Sequence, residues 1–480
     1  MLLLDKKIYQ IFIYIRNILT TVLTILCCNS YIYAENLLDI YFLAKDNDPT
    51  IISAKQTQLA DLENLIIARA KFLPNISAST TNNYAKNRDV LGQLNSYNPT
   101  EASYNNYSYT LNIAQPIFQV VDWMSYKKTK KQSKSALKKY ENAEQELLLR
   151  VAEQYFAILA AMDQEATSKA IIESFTKRLE QAKKQFKVGV TAITDVNEAE
   201  ARLDNARATH IADYNNLNNE KEKLSRIIGK FVEQVAPLKS EIPLVSPTPN
   251  DVSLWVEKSR KHNLKIQAAR YDVEAAYEAV RASSSNHLPT VNLNGSVTKS
   301  KSMPPNVNKN HVKQISVSVA LPIFSGGAVV AASQTATFQT NIALQELEAA
   351  YRAAESGTKI AYNTVLTQIS QVSALHQSVK SNNSALRATT AALDVGTRTI
   401  VDVLNAQTDL LSTKKNYALA KYKYIMSGLN LKKETGSLSL EDLEQVNNLL
   451  IFDQDSNKDC DKHDQNIAQT HSKTTVKSTK

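Results

Sequence analysis

The sequence predicts a mainly α-helical chain that carries four strands of a transmembrane β-barrel and is built as an internal two-fold repeat. Three observations predict it. Glycine and proline are scarce, ten and twelve in 480 residues, against average usage of roughly 7% and 5%, so long stretches contain no helix breaker. Between those stretches lie short segments whose hydrophobicity alternates with period two, the period of a strand. The glycines that end the helices recur 207 residues apart along the chain, which marks a duplication.

In residues 1–34, Lys6, Lys7 and Arg16 precede the apolar stretch Ile18 to Cys28, and small and polar residues follow up to Ala34. This is the order of a secretory signal peptide. The stretch is shorter than the roughly 20 apolar residues that spanning a bilayer needs, so the mature chain is expected to start at Glu35. Bulky Leu26 disfavours lipid attachment at Cys27. Cys27 and Cys28 leave with this segment, Cys460 remains alone, and no internal disulfide is expected. Loss of one Asp and three basic residues lowers the formal charge from +9 to +7, a small surplus over a long chain.

The first repeat spans 35–235. Asp48-Pro49 opens a helix as N-cap and first position. Two strands are expected near 74–118: one from Ile76 to Tyr84, the other with Tyr109, Leu111 and Ile113 alternating with Thr110, Asn112 and Ala114, joined through Gly92 and Pro99. Residues 117–188 contain neither Gly nor Pro, so a long helix is expected over 120–187, on the order of 100 Å at 1.5 Å rise per residue. Leu148, Val151, Tyr155, Ile158 and Met162 follow 3-4 spacing and form an apolar seam for packing against another helix. After Val188-Gly189 a second helix is expected over 191–229. Pro237, Pro243, Pro247 and Pro249 make the join, 236–250, a proline-rich linker.

The second repeat, 251–450, follows the same plan. Asn250-Asp251 offers a cap, and strands are expected near 289–324: Val291 to Val297, then Ile315, Val317, Val319 and Leu321 alternating with Ser316, Ser318 and Ala320, joined through Pro304 and Pro305. Helices are expected over 328–394, with the seam Leu344, Leu347, Tyr351 and Ala354, and over 398–434. Phe72-Leu73-Pro74-Asn75 corresponds to His287-Leu288-Pro289-Thr290, and Gln115-Pro116-Ile117-Phe118 to Leu321-Pro322-Ile323-Phe324. Val188-Gly189 and Ile193-Thr194-Asp195-Val196 return 207 residues later as Val395-Gly396 and Ile400-Val401-Asp402-Val403, and Gly229 and Gly436 keep that offset. Residues 451–480 are polar, with five Asp and five Lys and no apolar periodicity, the composition of a disordered tail.

Strands that are apolar on one face and small or hydroxyl-bearing on the other suit a barrel wall between lipid and water. Four strands are too few to close, because about eight is the smallest barrel and open edges are not tolerated in lipid. The chain is therefore expected to oligomerise, as a dimer or a trimer. No metal-spaced His/Cys cluster, phosphate loop or nucleophile with its base is present, so no enzyme activity and no cofactor are expected. Gly326-Gly327 lacks the rest of a phosphate-binding motif and reads as a strand-to-helix corner. Lys127, Lys128, Lys130 and Lys131 lie on a helical stretch without an aromatic platform, a solvated face and no nucleic-acid site. Two other readings compete: a barrel-anchored coiled-coil structural or adhesive surface protein, and a soluble helical scaffold.

Three stretches carry a resemblance: Phe186-Lys187-Val188-Gly189 with Ala192-Ile193-Thr194-Asp195-Val196, Leu321-Pro322-Ile323-Phe324-Ser325-Gly326-Gly327, and Val395 through Leu404. On these the chain resembles the TolC family of outer-membrane efflux proteins, from Glu35 to about Leu450. The resemblance implies a homotrimer whose twelve-stranded barrel, four strands per chain, continues into a long α-helical coiled-coil tunnel through the periplasm. It implies a channel for efflux of toxic compounds or for type I protein secretion, seated in outer-membrane lipid. The partners implied are a periplasmic adaptor (membrane fusion) protein and an inner-membrane transporter of the RND or ABC type. The implied site is the periplasmic entrance, where Asp402 matches a pore-facing acidic ring and Arg398, Thr194 and Asp195 match links that hold the mouth closed. Gly189, Gly396, Gly326 and Gly327 mark the turns. Asn405 stands where the family has a second acidic ring, and Leu393 where it has a tyrosine of the closing network, so a less acidic entrance with fewer hydrogen bonds is implied. Asp195 and Asp402 also sit where a helix restarting after a glycine turn takes its cap.

Overall fold

The computed structural model describes residues 35–88, 101–303 and 308–451. The signal segment, Cys460, the loops through Gly92, Pro99, Pro304 and Pro305, and all but the first residue of 451–480 lie outside them. In chain order the elements are α1 (Leu37–Asn47), α2 (Pro49–Ala70), β1 (Asn75–Arg88), β2 (Glu101–Phe118), α3 (Val120–Lys187), α4 (Ile193–Ile228), α5 (Val252–His262), α6 (Leu264–Ser284), β3 (Thr290–Met303), β4 (Asn308–Ala320), α7 (Ala328–Asp394), α8 (Ile400–Glu434) and α9 (Leu440–Asn447). A single 3-10 turn, Ser285–His287, precedes β3.

Helix starts follow capping chemistry. Asp48 accepts from the Thr50 amide at 2.7 Å ahead of Pro49, and its second oxygen meets the Arg150 guanidinium on α3. Asp251 caps α5 through the Ser253 amide at 2.8 Å, and Asn263 caps α6. α4 and α8 start at 193 and 400, two residues later than expected, because each glycine turn is followed by extended backbone at the N-cap.

α3 is the long strut, on the order of 100 Å, and α2, α4, α6 and α8 all pack on it. Its seam sets the principal core. Leu148, Val151, Tyr155 and Ile158 are buried with Leu37 and Ile40 of α1, Leu224 and Ile228 of α4, Leu429 of α8 and Leu443 of α9. Full burial of such side chains is worth about 1.5–3 kcal/mol each. The proline-rich join is part of this core: Val235, Ala236 and Leu238 are buried, and the Tyr155 hydroxyl donates to the Ala236 carbonyl at 2.7 Å. The corresponding seam of α7 is half covered. Ala354 is buried, whereas Leu344, Leu347 and Tyr351 are only partly so; among the described residues α7 is packed by α5, α6 and α8.

The four strands form one antiparallel sheet in the order β1-β2-β3-β4. β2 pairs with β3, Leu111 opposite Val297 and Ile113 opposite Gly295, although the strands belong to different repeats. One face carries Ile76, Leu111, Ile113, Leu293, Val297, Ile315 and Val317; the other carries Ser77, Ser79, Thr110, Asn112, Ser296 and Ser316. Apolar outside and polar inside is the wall of a membrane barrel. β4 ends at Ala320, short of the expected 324, because β3 begins at Thr290 and leaves no partner beyond the Thr290–Ala320 pair. β2 runs through Pro116 to Phe118, where a register shift absorbs the missing donor.

Candidate functional site at the helix tips

Both hairpins turn with the same backbone. At the end of α3, the Gly189 amide donates to the Phe186 carbonyl at 3.0 Å and the Val190 amide to Gln185 at 2.9 Å. At the end of α7, Gly396 donates to Leu393 at 3.0 Å and Thr397 to Ala392 at 2.9 Å. These bonds satisfy carbonyls that the helix end would leave free. Gly189 and Gly396 both have φ +77°, a left-handed conformation that costs an L-residue about 1–2 kcal/mol. Gly326 and Gly327, φ +59° and +81°, turn the chain at the opposite end of α7, between β4 and the helix.

Beyond the turns the copies diverge. Thr399 is the N-cap of α8: its hydroxyl accepts from the Asp402 amide at 3.2 Å, while the Asp402 carboxylate accepts from the Thr399 amide and hydroxyl, each at 2.9 Å. This is a closed capping box. Arg398 lies 3.8 Å from the same carboxylate, its side chain 61% exposed. The Thr399 amide, then its hydroxyl, then the Arg398 charge hold the Asp402 carboxyl below the usual carboxylate range. At the first tip the N-cap is Ala192, which offers no side-chain bond. Asp195 there takes the hydroxyl of Thr191.

A small core joins the tips. Phe175, Leu179 and Ala182 of α3, Val196, Ala199 and Leu203 of α4, and Ile400 and Leu404 of α8 are buried together, and Leu393 packs against them. Leu393 thus contributes apolar contact at a position where the resemblance implies a hydrogen-bonding ring. Asn405 accepts from Arg202 on α4 at 3.0 Å, and Arg202 also pairs with Glu198 at 3.0 Å. The sequence reading missed Arg202 and Glu198. Their i,i+4 spacing and the 207-residue offset between Glu198 and Asn405 were the available signals. Among the described residues no hydrogen bond or ion pair within the chain joins Arg398 to Thr194 or Asp195; Thr194 is exposed.

The site is therefore two helical turns at one end of a long bundle, with a sheet at the other end. Residues 40–230 and 255–437 match the family described as Outer membrane efflux protein. The chain belongs to that family. It is 34% identical over 424 residues to the outer membrane protein TolC of Vibrio cholerae, covering 87% of this chain and 94% of the relative. It is 28% identical over 418 residues to the alkaline protease secretion protein AprF of Pseudomonas aeruginosa, covering 86% and 87%. Its fold is that of the Campylobacter jejuni CmeC outer membrane channel, with a TM-score of 0.72 and 19% identity over 87% of this chain and 90% of that one. As an outer membrane efflux protein, the chain is an efflux or secretion channel of the TolC type, in the outer membrane with a periplasmic extension, and it catalyses no reaction. The adhesin and scaffold readings are set aside.

Proposed function

We propose that three copies of the chain assemble into one channel, and that the helix tips are its periplasmic entrance. The observation that carries this is a set of unpartnered faces on matching sides of the chain. β1 and β4 are the two open edges of the sheet. α2 leads into β1 and exposes Ile52, Leu59 and Ile66 at seven-residue spacing, while α7 follows β4 and exposes Phe338 and Ile342 one turn apart. A second copy that pairs its β1 with the first copy's β4 brings α2 beside α7, so one operation covers edges and faces alike. Twelve strands from three copies close a barrel of a size known in membranes.

In this assembly Asp402 contributes one carboxylate from each copy to a ring at the mouth, and Arg398 offsets its charge. Thr194 and Asp195 lie on the neighbouring turn and act in holding the mouth closed. Asn405, tied to Arg202, adds no second acidic ring. The channel receives its cargo from a periplasmic adaptor and an inner-membrane transporter, of the RND or ABC type, that dock on the tips. Mass determination in detergent tests the assembly: three chains per particle are expected, and a stable folded monomer overturns it. Ion selectivity of Asp402→Ala in planar bilayers tests the ring, and unchanged cation selectivity and unchanged block by multivalent cations would reduce Asp402 to a helix cap.

A further inference from the structure

Four lysines at the far end of the sheet stand apart from the entrance. Lys299 and Lys301 lie on β3, Lys309 and Lys313 on β4, and the register gathers them: Lys301 faces Lys309, Lys299 faces His311, and Val297 faces Lys313. Side chains directly opposite on antiparallel strands are about 5 Å apart. The block alternates in step with Leu293, Val297, Ile315 and Val317, so it projects from the apolar face of the sheet. On the opposite face, the positions from Asn292 to Ser300 and from Asn310 to Ser318 carry no charged group. A block that needed only hydration would face the water-filled lumen as readily, and none of it does.

Depth decides what the block meets. From Val291 to Lys299 is eight residues, about 27 Å along a strand and roughly 20 Å along the axis at a tilt near 40°. Lys299, Lys301 and Lys309 thus reach the upper edge of an apolar band that is typically about 25 Å tall, with Lys313 two residues deeper, opposite Val297. Tyr109 and Tyr107 stand opposite Lys299 and Lys301 on β2, as aromatic residues do at a membrane–water interface. The other edge of the band is marked by Phe72, Trp123 and Tyr126, packed at the start of α3. That edge leads into the helices, so the lysine edge faces the cell exterior.

The block lacks internal compensation. Among the described residues no side chain of the four lysines has an ion pair or hydrogen bond, and β3 and β4 contain no Asp or Glu. Like charges directly opposite are destabilising, and among the described residues of β3 and β4 no carboxylate offsets them. We propose that the block binds the phosphate-bearing head groups of outer-leaflet lipid. With the assembly described above, three such blocks surround the barrel at the level of the head groups.

Native mass spectrometry of the detergent-purified full-length assembly tests this with three probes: phosphorylated lipid A, its phosphate-free form, and inorganic phosphate. The unmodified protein is expected to retain the phosphorylated lipid and to lose it on removal of the phosphates. At about fivefold per lysine beside an anionic surface, the combined Lys299→Ser, Lys301→Ser, Lys309→Ser and Lys313→Ser variant should bind more weakly by on the order of several hundredfold. The corresponding Lys→Arg variant should bind as the unmodified protein does. Equal binding of the two lipid forms overturns the proposal, as does undiminished binding by the Ser variant. Displacement of the lipid by inorganic phosphate makes this a site for free anions and overturns it too. If the Ser variant fails to assemble, the comparison of the two lipid forms on the unmodified protein decides.

Discussion

The first and second repeats turn their helices back with superimposable hydrogen bonds, yet the helix that follows is anchored at one tip and loose at the other. Thr399 and Asp402 close a capping box on α8, while Ala192, at the equivalent place, leaves Asp195 to a neighbouring hydroxyl. A similar inequality holds at the other end of the same helices. Gly229 and Gly436 both take left-handed backbone, at φ +76° and +67°. A methyl group at Gly229 would meet Asn47 at 3.5 Å, but at Gly436 it would stand 2.2 Å from the His262 carbonyl oxygen. Duplication thus kept the turns, and the second copy added close contacts around them.

The largest effect expected from this inequality is at Gly229 and Gly436. Gly229→Ala and Gly436→Ala each incur about 1–2 kcal/mol from left-handed backbone, and Gly436→Ala adds about 1–3 kcal/mol of overpacking against backbone that cannot swing away. Thermal unfolding of the two variants in detergent measures it, and equal losses of stability would break the comparison.

Next come the tip carboxylates. Asp402→Ala should destabilise the start of α8 by opening its capping box, and should lower cation selectivity in bilayer recordings. Asp195→Ala should do less of both, since no backbone amide depends on its carboxylate. A first-tip variant with the larger effect would reverse the assignment.

Smaller again is an exchange of caps. Thr399→Ala should cost about 1 kcal/mol, and Ala192→Thr should recover part of that at the first tip. Amide hydrogen exchange in the first turns of α8 and α4 reports each separately. Faster exchange in α8 and slower exchange in α4 would sharpen the comparison, and no change in either would dissolve it.

The smallest effect is with pH. The folded Asp402 carboxyl titrates below its ordinary value, near 3.9 when unfolded. Its contribution is therefore complete above that value and lost as pH falls through the lower, folded one. Protection of the α8 start should hold from pH 7 to about 5 and decline below about 4, and Asp402→Asn should flatten that decline. A loss already complete at pH 5 would show that another group controls the cap.

Much of this was legible in residue order. The absence of breakers from 117 to 188 announces α3, and alternation of Ile315, Val317 and Val319 with Ser316 and Ser318 announces a two-faced strand. The capping alternative for Asp402 was also visible, because a helix that restarts after a glycine turn takes its cap there. The link from Arg202 to Asn405 was not, since it depends on how α4 and α8 are rotated about their axes. Nor was the covering of α7, where Leu344 and Leu347 keep helical spacing but are only partly buried.

By itself, then, the sequence determined the periods, the turns and the duplication, because each arises from backbone preferences and side-chain spacing within a few residues. Only the tertiary structure decided that β2 lies against β3, that the join at Val235 and Ala236 is core, and that Lys301 faces Lys309. Those contacts join residues that are next to each other in space while lying apart in the chain, and their register follows from closing a sheet and packing a seam as a whole.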